Sequence, residues 1–221
     1  FKSMDAEACG KIFQTEDGTL GASFRGHMTQ EEIESGITSN GIIRSHDNGL
    51  TWGDASPIYR AIPGSGLQFN ENQVLPLADG RWLAMIRLNN NYFIEVHPVI
   101  MHRSYSSDQG RTWTFPVPTR FNGGEPGAER LPDGGILSAQ TSPGRTYSIL
   151  WTEDSMSRGE ISQTRPWGLL YEVSYDGGLT WAYWGDLYRT EKDSAEHIGS
   201  PTFLSVDEDN VFAVYHRGSK E

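Results

Sequence analysis

Cysteine is almost missing from this chain. Cys9 stands alone among 221 residues, so no internal disulfide staples the fold, and Cys9 reads as a core residue of the first strand. No apolar run is long enough to span a bilayer. No secretory signal stands at the start and no N-x-[ST] sequon occurs. Lys and Arg are scarce, 18 against 29 Asp and Glu, for a formal net charge of −11. A phosphate backbone rewards clustered cations, which excludes broad nucleic-acid binding. A single basic cleft is still compatible with that total. His27, His97 and His197 are too scattered for a metal cluster, and no cofactor is expected.

Tryptophan, by contrast, is plentiful at 7 residues, and three of them close a repeated octapeptide. The copies are "SHDNGLTW" from Ser45, "SSDQGRTW" from Ser106 and "SYDGGLTW" from Ser174. Self-similarity at this kind of interval marks stacked supersecondary units. Each position suits a tight turn. Gly49, Gly110 and Gly178 can take positive φ. Asp47, Asp108 and Asp176 can accept backbone N–H bonds, as Asx turns do. Thr and Trp suit the opening of the next strand, with the indole buried between units. A calcium loop shares D-x-[DN]-x-G, but the later bidentate Glu is missing at the right spacing. The aspartates are therefore read as turn fasteners.

A second hairpin precedes each octapeptide. "VLPLADGRWLAMIR" reads strand, turn, strand about Asp79-Gly80, and "AERLPDGGILSAQT" repeats it about Asp133-Gly134. "TEDGTLGASFR" gives half of the same hairpin at Asp17-Gly18, and "TFLSVDEDNVFAVYHR" a fourth at Asp209-Asn210. Each unit is then four short antiparallel strands, the design of a propeller blade in an all-β fold. Blades are expected at residues 9–60, 70–120 and 126–189, with a half blade at 199–217.

The octapeptides resemble the Asp-boxes (BNR repeats) of the sialidase (neuraminidase) superfamily and related propellers. The resemblance implies a six-bladed ring with the boxes on the face opposite the active site. Some three and a half blades are then part of a ring, and a missing segment or an additional chain is expected to complete it. It further implies an exo-glycosidase acting on an acidic sugar held by arginines, in an extracellular or periplasmic setting. The stretch "TLGASFRGHMTQEEIE" resembles the family segment leading to the catalytic acid. On that match Arg25 contacts substrate and Glu31 or Glu32 lies near the acid position. No F-R-I-P motif occurs, and Tyr92, Tyr147 and Tyr215 match no family nucleophile motif.

Strand alternation places the short turns on one face and the irregular segments, including 26–40, 88–98 and 142–167, on the other. Long loops on a rigid scaffold are where binding concentrates. Thr29 and Glu32 form a capping-box signature in the first of them. Counting eight residues on from each turn Asp gives Arg25, Arg87 and Arg217, and Thr141 in the third unit. These side chains can converge at the central axis, and guanidinium clusters suit carboxylates. Counting eight back gives Glu71 and Glu125, with Glu196 and His197 on a similar approach in the fourth unit. Glu31, Glu32, Glu71 and Glu125 are the candidate catalytic carboxylates; Arg25, Arg87, Arg217 and His197 are the candidate substrate contacts. Three readings stay open: a sialidase-like hydrolase, a non-catalytic glycan- or protein-binding module, and a polysaccharide lyase acting on uronic acids.

Overall fold

The structure, a computed structural model, describes residues 6–62, 68–89, 100–142, 168–190 and 196–219. The first sheet comprises β1 (Ala6–Gln14), β2 (Leu20–Gly26), β3 (Ser39–Ser45) and β4 (Gly53–Tyr59), with helix α1 (Gln30–Ser35) between β2 and β3. The second holds β5 (Gln68–Pro76), β6 (Trp82–Asn89), β7 (Ile100–Ser106) and β8 (Val117–Asn122). The third holds β9 (Gly124–Arg130), β10 (Ile136–Ser142), β11 (Gly168–Ser174) and β12 (Ala182–Arg189). β13 (Glu196–Ser205) and β14 (Val211–Ser219) form a two-stranded fourth sheet. Neighbours pair antiparallel in sequence order, so each four-stranded sheet is an up-and-down meander, a propeller blade.

The sheets stack face to face, and β6 shows why. Trp82, Ala84 and Ile86 alternate with Leu83 and Met85, and all five are buried. The first set packs with Ile42, Ile58 and Val74 between the first and second sheets. The second set packs with Leu75, Met101, Ala128 and Ile136 between the second and third. A strand covered on both faces is a continuous apolar run and loses the alternation of a half-buried one. Each fully buried side chain of this size contributes roughly 1.5–3 kcal/mol. A third cluster, Leu137, Ala139, Val173 and Phe203, joins the third sheet to the fourth.

The innermost strand of every sheet carries a bulge. On β5, Asn70 and Glu71 lie between the pairs Phe69–Leu88 and Asn72–Ile86, opposite Arg87 alone. On β9, Glu125 and Pro126 lie opposite Gln140, and on β13 Ser200 and Pro201 lie opposite Tyr215. On β1 the interruption falls between Cys9 and Phe13. Gly10, Glu125 and Ser200 take φ of 65°, 51° and 50° there. Bulges bend a strand and re-aim its side chains. The inner strands also meet across the centre. Lys11 Nζ lies 2.8 Å from Glu129 Oε2 and 3.0 Å from the Phe203 carbonyl. Glu129 Oε1 accepts the Ser205 N–H at 3.1 Å, so one lysine ties the first, third and fourth sheets.

One buried acid faces the second sheet. Glu172 lies opposite Ser138 on the side of the third sheet that carries Ile136 and Gln140. Burial pushes its carboxyl up to about 7, with the neighbouring Gln140 amide opposing.

Candidate functional site

The octapeptides close the hairpins at one end of the sheets, and their chemistry is the same three times. The Ser hydroxyl lies 2.8 Å from the Asp Oδ1 in each copy. The Thr N–H donates to the same Oδ1 at 2.8 Å, and the Thr hydroxyl donates to Oδ2. Each indole N–H donates to the glycine carbonyl at 3.1 Å. Hydrogen bonds from Thr51, then from Ser45, hold the Asp47 carboxyl down at about 2. Those from Thr112 do the same for Asp108. For Asp176 burial pushes the other way, and the Thr180 bonds outweigh it. Among the described residues no group of His, Cys, Asp or Glu is arranged to hold a metal. These aspartates fasten turns.

The candidate site lies at the other end. Antiparallel pairing puts Arg25 and Arg87 at the ends of β2 and β6 remote from the turns that precede those strands. The two side chains meet at one carboxylate. Arg87 Nη1 lies 2.9 and 3.1 Å from the Glu71 oxygens, and Arg25 Nη1 lies 3.8 Å from Glu71 Oε1. Arg25 also donates from Nε and Nη2 to Glu7 Oε2, at 3.0 and 2.6 Å, and from Nη1 to Asn70 Oδ1. Burial works against the charge on Arg25, and Glu7 with Glu71 outweighs it. The bulge at Asn70 and Glu71 is what turns both toward the guanidiniums. Asn72 Nδ2 donating to the Phe24 carbonyl, and Ser23 Oγ bridging the Cys9 and Asn72 carbonyls, lock the first sheet to the second beside it. Cys9 is buried in this layer, and burial pushes its thiol up to about 11.

Arg87 also reaches toward the third sheet. Its Cδ lies 3.1 Å from where a Cβ on Gly124 would stand, so that glycine leaves the space the arginine stem uses. Glu125 follows at once. Its Oε2 accepts the Ser200 N–H at 2.6 Å and lies 3.4 Å from Thr141 Oγ1. Thr141, the residue that breaks the arginine count, is thus a neighbour of Glu125.

The other candidates are placed differently. Thr29 caps α1 and accepts the Glu32 N–H at 3.2 Å. The Glu32 carboxylate is buried, with Oε2 accepting the Met28 N–H at 2.5 Å and Oε1 accepting the Ser39 hydroxyl at 2.9 Å. Both its oxygens are engaged in holding the loop. Glu31 is exposed on α1. Arg217 stacks on the Tyr188 ring at 4.9 Å. His197 is placed by its backbone alone, opposite Gly218. The expectations for Tyr92, His97, Tyr147 and the loop after Ser142 fall outside the described residues. Glu7 and Asn70 were not singled out from the sequence. Glu7 pairs directly across from Arg25, so strand register was the signal for it.

No protein-family model and no curated protein matches the chain. Solved structures do. A Dyadobacter fermentans protein of unknown function superposes with a TM-score of 0.70 at 20% identity, over 97% of this chain and 50% of that one. A Hadza microbial sialidase gives 0.58 at 20% identity, over 97% and 38%. A Penicillium chrysogenum α-L-arabinanase complexed with arabinobiose gives 0.61 at 17% identity, over 94% and 56%. The chain spans about half the length, or less, of the structures it matches. Its four-stranded sheets are blades, and its fold is the β-propeller fold of these sialidase and arabinanase structures.

Proposed function

We propose that this chain forms the sugar-binding part of a sialidase-like glycoside hydrolase acting on an acidic sugar. Arg25 and Arg87 hold the sugar carboxylate, and Glu71 orients both guanidiniums in its absence. The observation that carries this reading is the convergence of Arg25 and Arg87 on Glu71. Two arginines meeting at one carboxylate make a place where an incoming carboxylate can take over charge-assisted hydrogen bonds. Hydrolysis needs carboxyl groups, or a Tyr–carboxylate pair, flanking the glycosidic bond. Glu125, next to the glycine against which Arg87 lies, is the second carboxylate assigned to this face, and Glu31 is the exposed one on the helix. Arg217 and His197 are outlying contacts on the fourth sheet. Completion of the ring by further blades and an extracellular or periplasmic setting belong to the same proposal.

The test is calorimetric titration of the chain with N-acetylneuraminic acid, glucuronic acid and arabinose, alongside release of a fluorogenic aglycone from the matching glycosides. The expected result is saturable binding of an acidic sugar, lost in Arg87→Ala and only partly restored in Arg87→Lys, which cannot reproduce a bidentate contact. Arabinose binding that ignores Arg87→Ala would overturn the acidic-sugar reading. Acidic-sugar binding with no turnover by the complete ring would favour the binding-module alternative. Release of an unsaturated product from a uronic-acid polymer would favour the lyase.

A further inference from the structure

Arg25 and Arg87 stand at the same place in their sheets, eight residues after Asp17 and Asp79. Each side chain crosses to the innermost strand of the next sheet, and the residues met there are equivalent as well. Asn70 on β5 and Gly124 on β9 stand nine residues before Asp79 and Asp133. What they offer is opposite. Asn70 reaches back, with Oδ1 accepting from Arg25 Nη1. Gly124 has no side chain to reach with, and the Arg87 stem fills that place. A Cβ on Gly124 would stand 3.1, 3.3 and 3.4 Å from Arg87 Cδ, Nε and Cζ, its three nearest atoms outside the adjoining residues.

The backbone does not require glycine at 124. Its φ is not left-handed, unlike that of Gly10 in the β1 bulge, at 65°. An L side chain is allowed there on conformational grounds. Gly124 pairs with Thr141 at the edge of β9. Glycine weakens a strand, and it often marks the close approach of another group. Here that group is the Arg87 guanidinium, which is held from two sides. Nη1 lies 2.9 and 3.1 Å from the Glu71 oxygens on β5, while Cδ, Nε and Cζ lie over Gly124 on β9. Arg87 Nε is buried, with no hydrogen-bond partner among the described residues. Arg25 is thus tied to its next sheet by a hydrogen bond, whereas Arg87 meets its own at a packing contact.

We infer that Gly124 is a positioning residue for Arg87: the side chain it lacks sets where the guanidinium lies between the second and third sheets, and so how it meets an anionic ligand. This rests on the reading of Arg25 and Arg87 as the carboxylate-binding pair. A methyl group at 124 displaces the guanidinium by a few tenths of an ångström, and a branched side chain displaces it further. Misplacing an active-site group by about 1 Å costs on the order of a hundredfold, so about three- to tenfold is expected of the smaller shift.

The experiment uses the 221-residue chain and its Gly124→Ala and Gly124→Val variants, with glucuronic acid as the probe. Calorimetric titration is expected to show binding weakened about three- to tenfold by Gly124→Ala and more by Gly124→Val. The Tm of Gly124→Ala should stay within about 2 °C of the parent, because alanine adopts this φ without strain. In nitrogen-15 spectra recorded without sugar, the Arg87 Nε–H resonance should move in both variants while that of Arg25 stays. In an Arg87→Ala background, where the space is vacated, Gly124→Val should lower Tm less than it does in the parent. Unchanged glucuronic acid binding by Gly124→Val overturns the inference, as does an unmoved Arg87 resonance or an equal loss of Tm in the two backgrounds. A parent that binds no acidic sugar, with the Arg87 resonance still moving, would sink the carboxylate reading and support the placement of Arg87 by Gly124.

Discussion

The repeat supplies its own control for the cost of one methyl group. Gly49, Gly110 and Gly178 hold the same octapeptide position with φ of 86°, 77° and 87°. Alanine at any of them carries the left-handed backbone penalty of roughly 1–2 kcal/mol. The surroundings differ. At Gly49 the new Cβ meets Leu20 at 3.6 Å, ordinary contact, because no described sheet precedes it. At Gly110 it would stand 2.9 Å from both Ile42 of the first sheet and the Trp82 ring, and at Gly178 2.8 Å from Leu83 of the second, so those side chains must move. Overpacking of that kind costs a further 1–3 kcal/mol, roughly. Gly80, with φ of 84° and open space around it, is the reference for the backbone penalty alone. Urea unfolding should then place Gly49→Ala and Gly80→Ala together at about 1–2 kcal/mol, with Gly110→Ala and Gly178→Ala at about 2–5 kcal/mol. At some 2–4 °C per kcal/mol for a chain of this size, the two classes separate by about 2–12 °C in Tm. Equal losses at Gly49 and Gly178 would refute the seating of octapeptides on the preceding sheet.

Three further outcomes follow. Asp47 and Asp108 have folded pKa values held near 2 by hydrogen bonds. Their contribution is complete above the unfolded value of 3.8 and is lost as pH falls toward 2; Thr112→Val should flatten the decline in Tm between pH 4 and pH 2. Glu172 runs the other way. Its folded value is raised to about 7, so stability declines as pH rises from 4.5 to about 7, and Glu172→Gln should remove that slope in scanning calorimetry between pH 5 and pH 8. Glu71→Gln takes away the carboxylate that both arginines face. Charge-assisted hydrogen bonds of this kind contribute about 1.5–3 kcal/mol each, discounted here for partial exposure, so a loss of about 1–2 kcal/mol is expected in urea unfolding. A Glu71→Gln protein as stable as the parent would mean that the two guanidiniums do not share that partner.

Short-range chemistry was legible in the sequence. The octapeptides, the Asp-Gly hairpins and the Thr29–Glu32 cap are set by residues within a few positions of one another, and each forms as read. The same stretch that suggests Glu32 as an acid also announces the cap, and in the structure the Met28 N–H and the Ser39 hydroxyl engage both carboxylate oxygens. Counting forward from the turns reaches different places relative to the bulges of the inner strands, and the fourth turn is centred on Glu208, one residue before the Asp209 of the count. Relative to them, Arg87 faces the bulge itself, Thr141 lies one residue past it, and Arg217 pairs with Ile198 and stacks on Tyr188. The bridge from Lys11 to Glu129 and Phe203 spans the centre of the molecule, and no local pattern announces it.

The single extra residue on β5, β9 and β13 divides each of these inner strands into two independently addressed segments. Below the bulge the side chains keep the in-and-out parity of the core; above it the parity is reset. Substitutions at Asn70, Glu71 or Glu125 therefore leave the alternation at Val74, Leu75 and Ala128 intact. Side chains at the upper rim can in this way change without the inter-sheet packing registering it.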